Sequence, residues 1–446
     1  MIKDLTQGRP EFVLLKFSLP MFVSVFFQQL YNIADSIVVG NFAASGEDSM
    51  AAVGASYPIT LVFMAIAVGC NIGCSVIISQ LFGAKEYKRM KTAVSTTLIT
   101  SVIISIILIV AGTIFTMPIM RLIQTPENVF ADASLYLQIY IGGFIFQFLY
   151  NIFTGIFQAL GDSRTPLYFL IGSSLGNISL DLLFVAVFHW DVAGVAWATF
   201  IAQGIACILA GVTLYTRMKK IKTEGKISKF SGQLLKKITI VSIPSILQQS
   251  FISVGYILIQ GIVNKYGSSV VAGYSAAIKL NNFATGCLLA LSNAMSSFTA
   301  QNIGAGRRDR VKKGFIAGLV LGVFGTLPFA ATYFFAGDVM INLFISDVSA
   351  EAIETGALFL KIVAPFQFII MIKIIIDGVF RGSGAMFWFM FSTFTDLLLR
   401  VGLAFILPIW FDSTGLWWSW PIGWIAATIV SVVIFSSGKW KKHRLV

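Results

Sequence analysis

The chain has 446 residues, 57% hydrophobic and only 12% charged, with a mean hydropathy of +0.84 and a formal net charge of +12. A soluble chain would carry charge on about 25% of its residues, so a water-soluble globular protein is excluded. The positive charge sits in a few short loops between apolar blocks, which excludes a nucleic-acid-binding surface.

Spanning a bilayer takes about 20 apolar residues. Twelve such blocks are read, at about 12–40, 51–79, 92–118, 133–158, 166–188, 193–215, 239–263, 270–298, 314–336, 355–380, 386–410 and 416–436. The first block is too long for a signal peptide and lacks its small-residue cleavage pattern. It contains Pro20, which removes a backbone hydrogen bond and can bend the span, and Tyr31 and Asp35 one helical turn apart. The second carries Cys70 and Cys74 at i, i+4. Two thiols alone do not make a metal site, so they read as small residues for close helix packing.

The fifth block contains "NISLDLLF", with Asp181 in an apolar stretch and Ser173, Ser174, Asn177 and Ser179 as its polar neighbours. Asn177 and Asp181 are i, i+4 and share a helix face. A carboxylate within hydrocarbon costs about 2.5–3.5 kcal/mol even on the milder scales. Beyond Lys16, near the start of the first block, the N-terminal spans hold no cation to pair with Asp35 or Asp181. Burial without a fixed cation favours the protonated form of a carboxyl group. Such a group can load and release a proton, or bind a metal cation. An ion or proton path is therefore expected at these two residues.

After the sixth block comes a polar, basic linker, 216–237, which divides the chain into an N-terminal lobe, 1–215, and a C-terminal lobe, 238–446. The C-terminal spans carry Lys279, Lys361, Lys373, Asp377, Asp396 and Arg400. Lys373 with Asp377, and Asp396 with Arg400, stand at i, i+4 and read as self-neutralised pairs. Lys279 and Lys361 read as snorkelling side chains. Most of the 32 Lys and Arg fall on one set of loops, among them Lys85, Lys88, Arg89, Lys91, Arg307, Arg308, Arg310 and the linker. The opposite loops are acidic. The positive-inside rule then puts both termini in the cytoplasm.

The halves repeat. "SLP" at 18–20 answers to "SIP" at 242–244, "SQLFGAKEYKRMK" (79–91) to "AQNIGAGRRDRVK" (300–312), and "GIFQALG" (155–161) to "GVFRGSG" (378–384). The offsets are nearly constant, at 224, 221 and 223. Six spans per copy is even, so both copies enter the membrane the same way. The expected fold is an all-α integral membrane protein of twelve transmembrane helices, in two six-helix lobes related by a pseudo-two-fold axis along the membrane normal. Ile259 stands where the second copy would repeat Asp35, so the duplication is chemically asymmetric and coupling is expected in the N-terminal lobe.

In this order and spacing, several motifs resemble those of the multidrug and toxic compound extrusion (MATE) transporters. They are "QQLYNIADSIVVGNF", "AVGASYP", "SQLFGAK", "FQALGDSRTP", "NISLD", "GVAWATFIAQG", "AQNIGAGRRDRV" and "GVFRGSG". The resemblance covers essentially the whole chain. It implies a polyspecific efflux antiporter whose coupling-cation site, for H⁺ or Na⁺, is formed by Asp35, Asn177, Asp181 and Thr199. It further implies a substrate chamber at Tyr31, Asp35, Asn151 and Asp181, with the helix bend at Pro20. A second branch of the family uses a Glu in the seventh helix; here that helix, "PSILQQSFISVGYILIQ", has no acid, and Asp377 is displaced from that branch's tenth-helix position.

The expected function is cation-coupled export of small organic cations across the plasma (inner) membrane by alternating access, by a monomer without cofactor. Protons or Na⁺ neutralise the carboxylates and so lower their affinity for the drug. Forty Phe and nine Trp offer cation–π surfaces. The alternative is a flippase for lipid-linked oligosaccharides, which would need a cationic cavity and keeps Lys279, Lys361 and Lys373 in view. An intramembrane enzyme is disfavoured, because the only histidines are His189, in a loop, and His443, in the basic tail. A channel would show a more regular polar stripe.

Overall fold

The computed structural model describes residues 3–42, 46–344, 349–443 and 445–446; at 35, 36, 39–42, 46–50, 344 and 442 the description is confined to the backbone. Every regular element among these residues is helical. The order is α1 (Pro10–Phe42), α2 (Gly46–Gly83), α3 (Tyr87–Leu122), α4 (Glu127–Ala159), α5 (Arg164–Asp181) running into a π-helical turn (Leu182–Val187), and α6 (Asp191–Lys220). Then come α7 (Gly232–Val263), α8 (Ser268–Gly304), α9 (Arg308–Phe335), the short α10 (Gly337–Phe344), α11 (Ala350–Val363), α12 (Gln367–Ser383), α13 (Met386–Ile406) and α14 (Pro408–Ser436).

Ten of these are each long and apolar enough to cross a membrane, and α11 with α12 make an eleventh as a pair bent by 58°. The twelfth, α8, has the length but buries a polar edge of Ser292, Ser296, Ser297, Thr299, Gln301 and Asn302. The chain is a multi-pass membrane protein with the expected twelve-helix layout. Two expected spans are corrected. The block at 355–380 is broken, because Pro365 offers no N–H and disfavours helical geometry at the residue before it. The block ending at 410 stops instead at Ile406, and α14 starts at Pro408 and kinks at Asp412 (φ 52°, ψ −146°).

The spans invert the pattern of a soluble helix. In α3 the buried positions include Thr97, Ser101, Ser105 and Thr116, while Ile103, Ile107, Val110 and Ile114 are exposed along the other face. Small hydroxyl residues bring backbones close inside the protein, and branched apolar residues meet lipid. Two glycines of "GVFRGSG" do the same on α12: a Cβ on Gly378 would lie 2.5 Å from Ser292 O, and one on Gly382 2.3 Å from Ser296 O.

The chain packs as two units. One is Val23–Ile246 with Lys3; the other is Asp4–Phe22 with Leu247–Val446. The lobes read along the sequence, 1–215 and 238–446, follow the chain, whereas the packing units exchange the first halves of α1 and α7. Both exchanges occur three residues after a proline, Pro20 or Pro244. Within each unit, the repeated basic motif holds the segment that leads into the exchanged half-helix. In the second unit, Gln301 Oε1 accepts from Leu5 N–H (2.8 Å), Arg307 Nη1 donates to Thr6 O (2.7 Å) and Arg310 Nη1 donates to Gly8 O (2.8 Å). In the first, Lys91 Nζ donates to Ile221 O (2.6 Å), Ser95 Oγ donates to Lys229 O (2.7 Å) and Ser231 N–H donates to Thr96 Oγ1 (3.0 Å).

Candidate functional site

In the first unit, α5 and α6 carry a buried polar group that the second half of α1 completes. Helical spacing puts Ser173, Ser174, Asn177 and Asp181 along one side of α5. Tyr31 comes from α1 and Thr199 from α6. Asn177 is 2% exposed and Asp181 is fully buried. Neither can rely on water, so each needs a protein partner. With the Asn177 amide nitrogen facing its acceptors, it donates to Tyr31 Oη (3.0 Å) and Asp181 Oδ2 (3.1 Å), and Asn177 Oδ1 accepts from Thr199 N–H (3.1 Å). Thr199 Oγ1 lies 3.5 Å from the same amide. Asn177 therefore ties three helices together.

Asp181 is the last residue of α5 proper. The π-helical turn follows at once, and Phe188 N–H donates to Leu183 O (3.0 Å), five residues back. Such widened turns occur mostly at functional positions. Here the turn re-aims the chain directly after the buried acid. Beyond it Phe184 stacks on Trp190 at 5.0 Å, closing the α5–α6 connection.

Beside Asn177 is a cavity of about 20 Å³, lined by Gln28, Tyr31, Leu170, Ser173, Ser174, Asn177, Thr199, Ala202 and Gln203. That is room for one water or one small ion, not for an organic cation. Among the described residues the polar lining is all hydroxyl and amide, without a formal charge.

Of the residues expected from the sequence, Tyr31, Asn177, Asp181 and Thr199 come together here. Asn151 does not: its Nδ2 donates to Gln147 O in its own helix (2.9 Å), and it does not line the cavity. Pro20 belongs to the part of α1 that packs in the other unit. The side chain of Asp35 lies outside the described residues. Gln28 and Gln203 were not singled out from the sequence. Their only signal was an amide one turn from a candidate, Gln28 before Tyr31 and Gln203 after Thr199.

In the second unit both i, i+4 pairs form. Lys373 Nζ meets Asp377 Oδ2 at 2.5 Å and also donates to Thr393 Oγ1 (3.1 Å). Arg400 meets Asp396 at 3.7 Å and lies over the Trp420 ring at 4.5 Å. Arg381 Nη2 donates to Ser292 Oγ (2.7 Å). Lys279 and Lys361 are exposed.

Comparison with known proteins agrees with this architecture. The family model described as MatE matches residues 20–183 and 244–406, two copies that begin at Pro20 and Pro244. The chain is 29% identical over 444 residues to YpnP of Bacillus subtilis, named a probable multidrug resistance protein, covering 99% of this chain and 98% of that one. It is 22% identical to the multidrug export protein MepA of Staphylococcus aureus, covering 94% and 92%. A multidrug resistance MATE family transporter solved in an outward-facing conformation superposes with a TM-score of 0.90 at 22% identity, covering 98% of each chain. At that identity the last likeness speaks for the fold alone.

Proposed function

The chain belongs to the multidrug and toxic compound extrusion (MATE) family, and from that premise we propose that it exports small amphipathic organic cations in exchange for H⁺ or Na⁺. The observation that carries this reading is the fully buried Asp181, held by Asn177 beside a water-sized polar cavity. A buried acid of this kind is costly, and one that takes part in transport has a reason to persist.

The amide of Asn177 suits the ionised state of Asp181. When Asp181 is ionised, the Asn177 N–H groups donate to Asp181 and Tyr31, as described. When a proton binds Asp181, the carboxyl becomes a donor. Neutralisation on the outer side weakens attraction for a cationic drug, and loss of the ion on the inner side restores it. A bound ion moves such an equilibrium only through its different affinity for the two states. The distribution of basic loops supports both termini being cytoplasmic. The flippase alternative is less well supported, because Lys373 is neutralised by Asp377.

The test is ethidium export from proteoliposomes bearing wild type or Asp181→Asn, under a pH gradient alone and then a Na⁺ gradient alone. Export by wild type under one gradient, with none by the variant, supports the reading and names the ion. Equal export by both assigns Asp181 to structure and overturns it.

A further inference from the structure

The cavity lies to one side of Asp181, and that side has a direction. Leu170, Ser173 and Ser174 precede Asn177 on α5, toward the helix end at Arg164. Gln203 follows Thr199 on the antiparallel α6, toward the end at Arg217. Those two ends meet, since Arg217 Nη2 donates to Thr165 Oγ1 at 2.8 Å. They carry the basic loops that the charge distribution assigns to the cytoplasm. From Asn177, the hydrogen-bond partner of Asp181, the cavity therefore extends in the direction a coupling ion takes as it leaves inward.

Its chemistry is that of an acceptor. Ser173 Oγ gives its proton to Leu170 O (3.1 Å), leaving oxygen lone pairs for the cavity. Gln203 Oε1 is buried and has no hydrogen-bond partner among the described residues. An orphaned buried acceptor is costly and is ordinarily satisfied by a ligand or an ordered water. Neutral oxygens grouped near the Asp181 carboxylate suit a small hard cation. They do not suit an anion.

We propose that this cavity is the inward release route of the coupling ion and that Gln203 is its relay ligand, accepting a small hard cation, Na⁺ or hydronium, from the Asn177–Asp181 pair. This rests on the antiport reading above. The ion leaves the carboxylate, is held for a moment by Gln203 Oε1 and the neighbouring hydroxyl oxygens, and passes on. For H⁺ the Asp181 carboxyl O–H breaks and its proton passes to a water in the cavity, leaving a carboxylate and a hydronium that Gln203 Oε1 accepts from; for Na⁺ no covalent bond changes.

The test separates flux from binding. Gln203→Met keeps the side-chain length and removes the acceptor. Inward ion movement during ethidium export would be followed as ²²Na⁺ uptake under a Na⁺ gradient and as lumenal acidification under a pH gradient, which distinguishes the two ions. Equilibrium binding would be followed as the ion concentration, or pH, at half-maximal thermal stabilisation of the purified protein. The variant is expected to lower flux about tenfold, as befits the loss of one hydrogen bond to a charged group, with the binding midpoint unchanged. If its thermal midpoint without ion falls, Gln203→Asn, which retains an amide, carries the comparison and is expected to keep more flux than Met. Flux equal to wild type overturns the proposal, and so does loss of binding in step with flux, which would make Gln203 part of the Asp181 site itself. Wild type that moves neither ion would instead sink the antiport reading.

Discussion

Asn177 is the side chain on which the candidate site turns. Replaced by Leu, it would withdraw a donor from both Asp181 Oδ2 and Tyr31 Oη in a place water reaches poorly. Coupled ethidium export is expected to fall at least about tenfold, the ordinary effect of losing a hydrogen bond to a charged group; the same proteoliposome assay reads it. The Lys373–Asp377 pair makes a different prediction. Lys373→Met would strand a buried carboxylate and is expected to destabilise the second unit by about 3 kcal/mol, the low end for a broken buried pair because Arg381 is close by. The double change Lys373→Met with Asp377→Leu is expected to recover only part of that, because it takes the carboxylate from the buried Arg381, as read by thermal unfolding in detergent. These pairs were legible in the sequence because i, i+4 spacing on a helix is itself geometry. Gln203 was not: an amide among alanines and isoleucines signals a role only once another helix brings Asn177 and a cavity beside it.

Among the elements, span lengths could be read from hydropathy, since twenty apolar residues have few other uses. The break between α11 and α12 was missed because the flanking text stays apolar across Pro365, and composition averages over a single missing N–H. The glycines of "GVFRGSG" served in the sequence only as evidence of a repeat, and the structure shows the contact that requires them. Gly382→Ala would drive a methyl onto Ser296 O, and since the obstacle is backbone it is expected to cost about 1–3 kcal/mol. A lowered thermal midpoint, without change in the Asp181 site, would be the measured sign. The basic loops were read as topology alone, yet Arg307 and Arg310 also bind the carbonyls of Thr6 and Gly8. A carbonyl partner leaves no mark in a sequence, so this second task could not be read there.

At the scale of the molecule, the duplication visible in the sequence is also the duplication of the family match and of the two proline-marked exchanges. Deleting residues 1–8 is expected to loosen the turn between α8 and α9, which holds that segment, and to leave the turn between α2 and α3 as it was. Hydrogen exchange followed by mass spectrometry, comparing peptides over 301–310 and 80–91, would show faster exchange in the first alone. The exchange of half-helices has a consequence for how the chain is made. Residues 4–22 leave the ribosome before 23–246, and the residues they pack with, 247–446, leave after it. The earlier unit in turn waits for 232–246 to close it. Neither lobe is complete when its own copy of the repeat has been translated, so the nascent first half-helix must wait without its packing partners until the second copy follows.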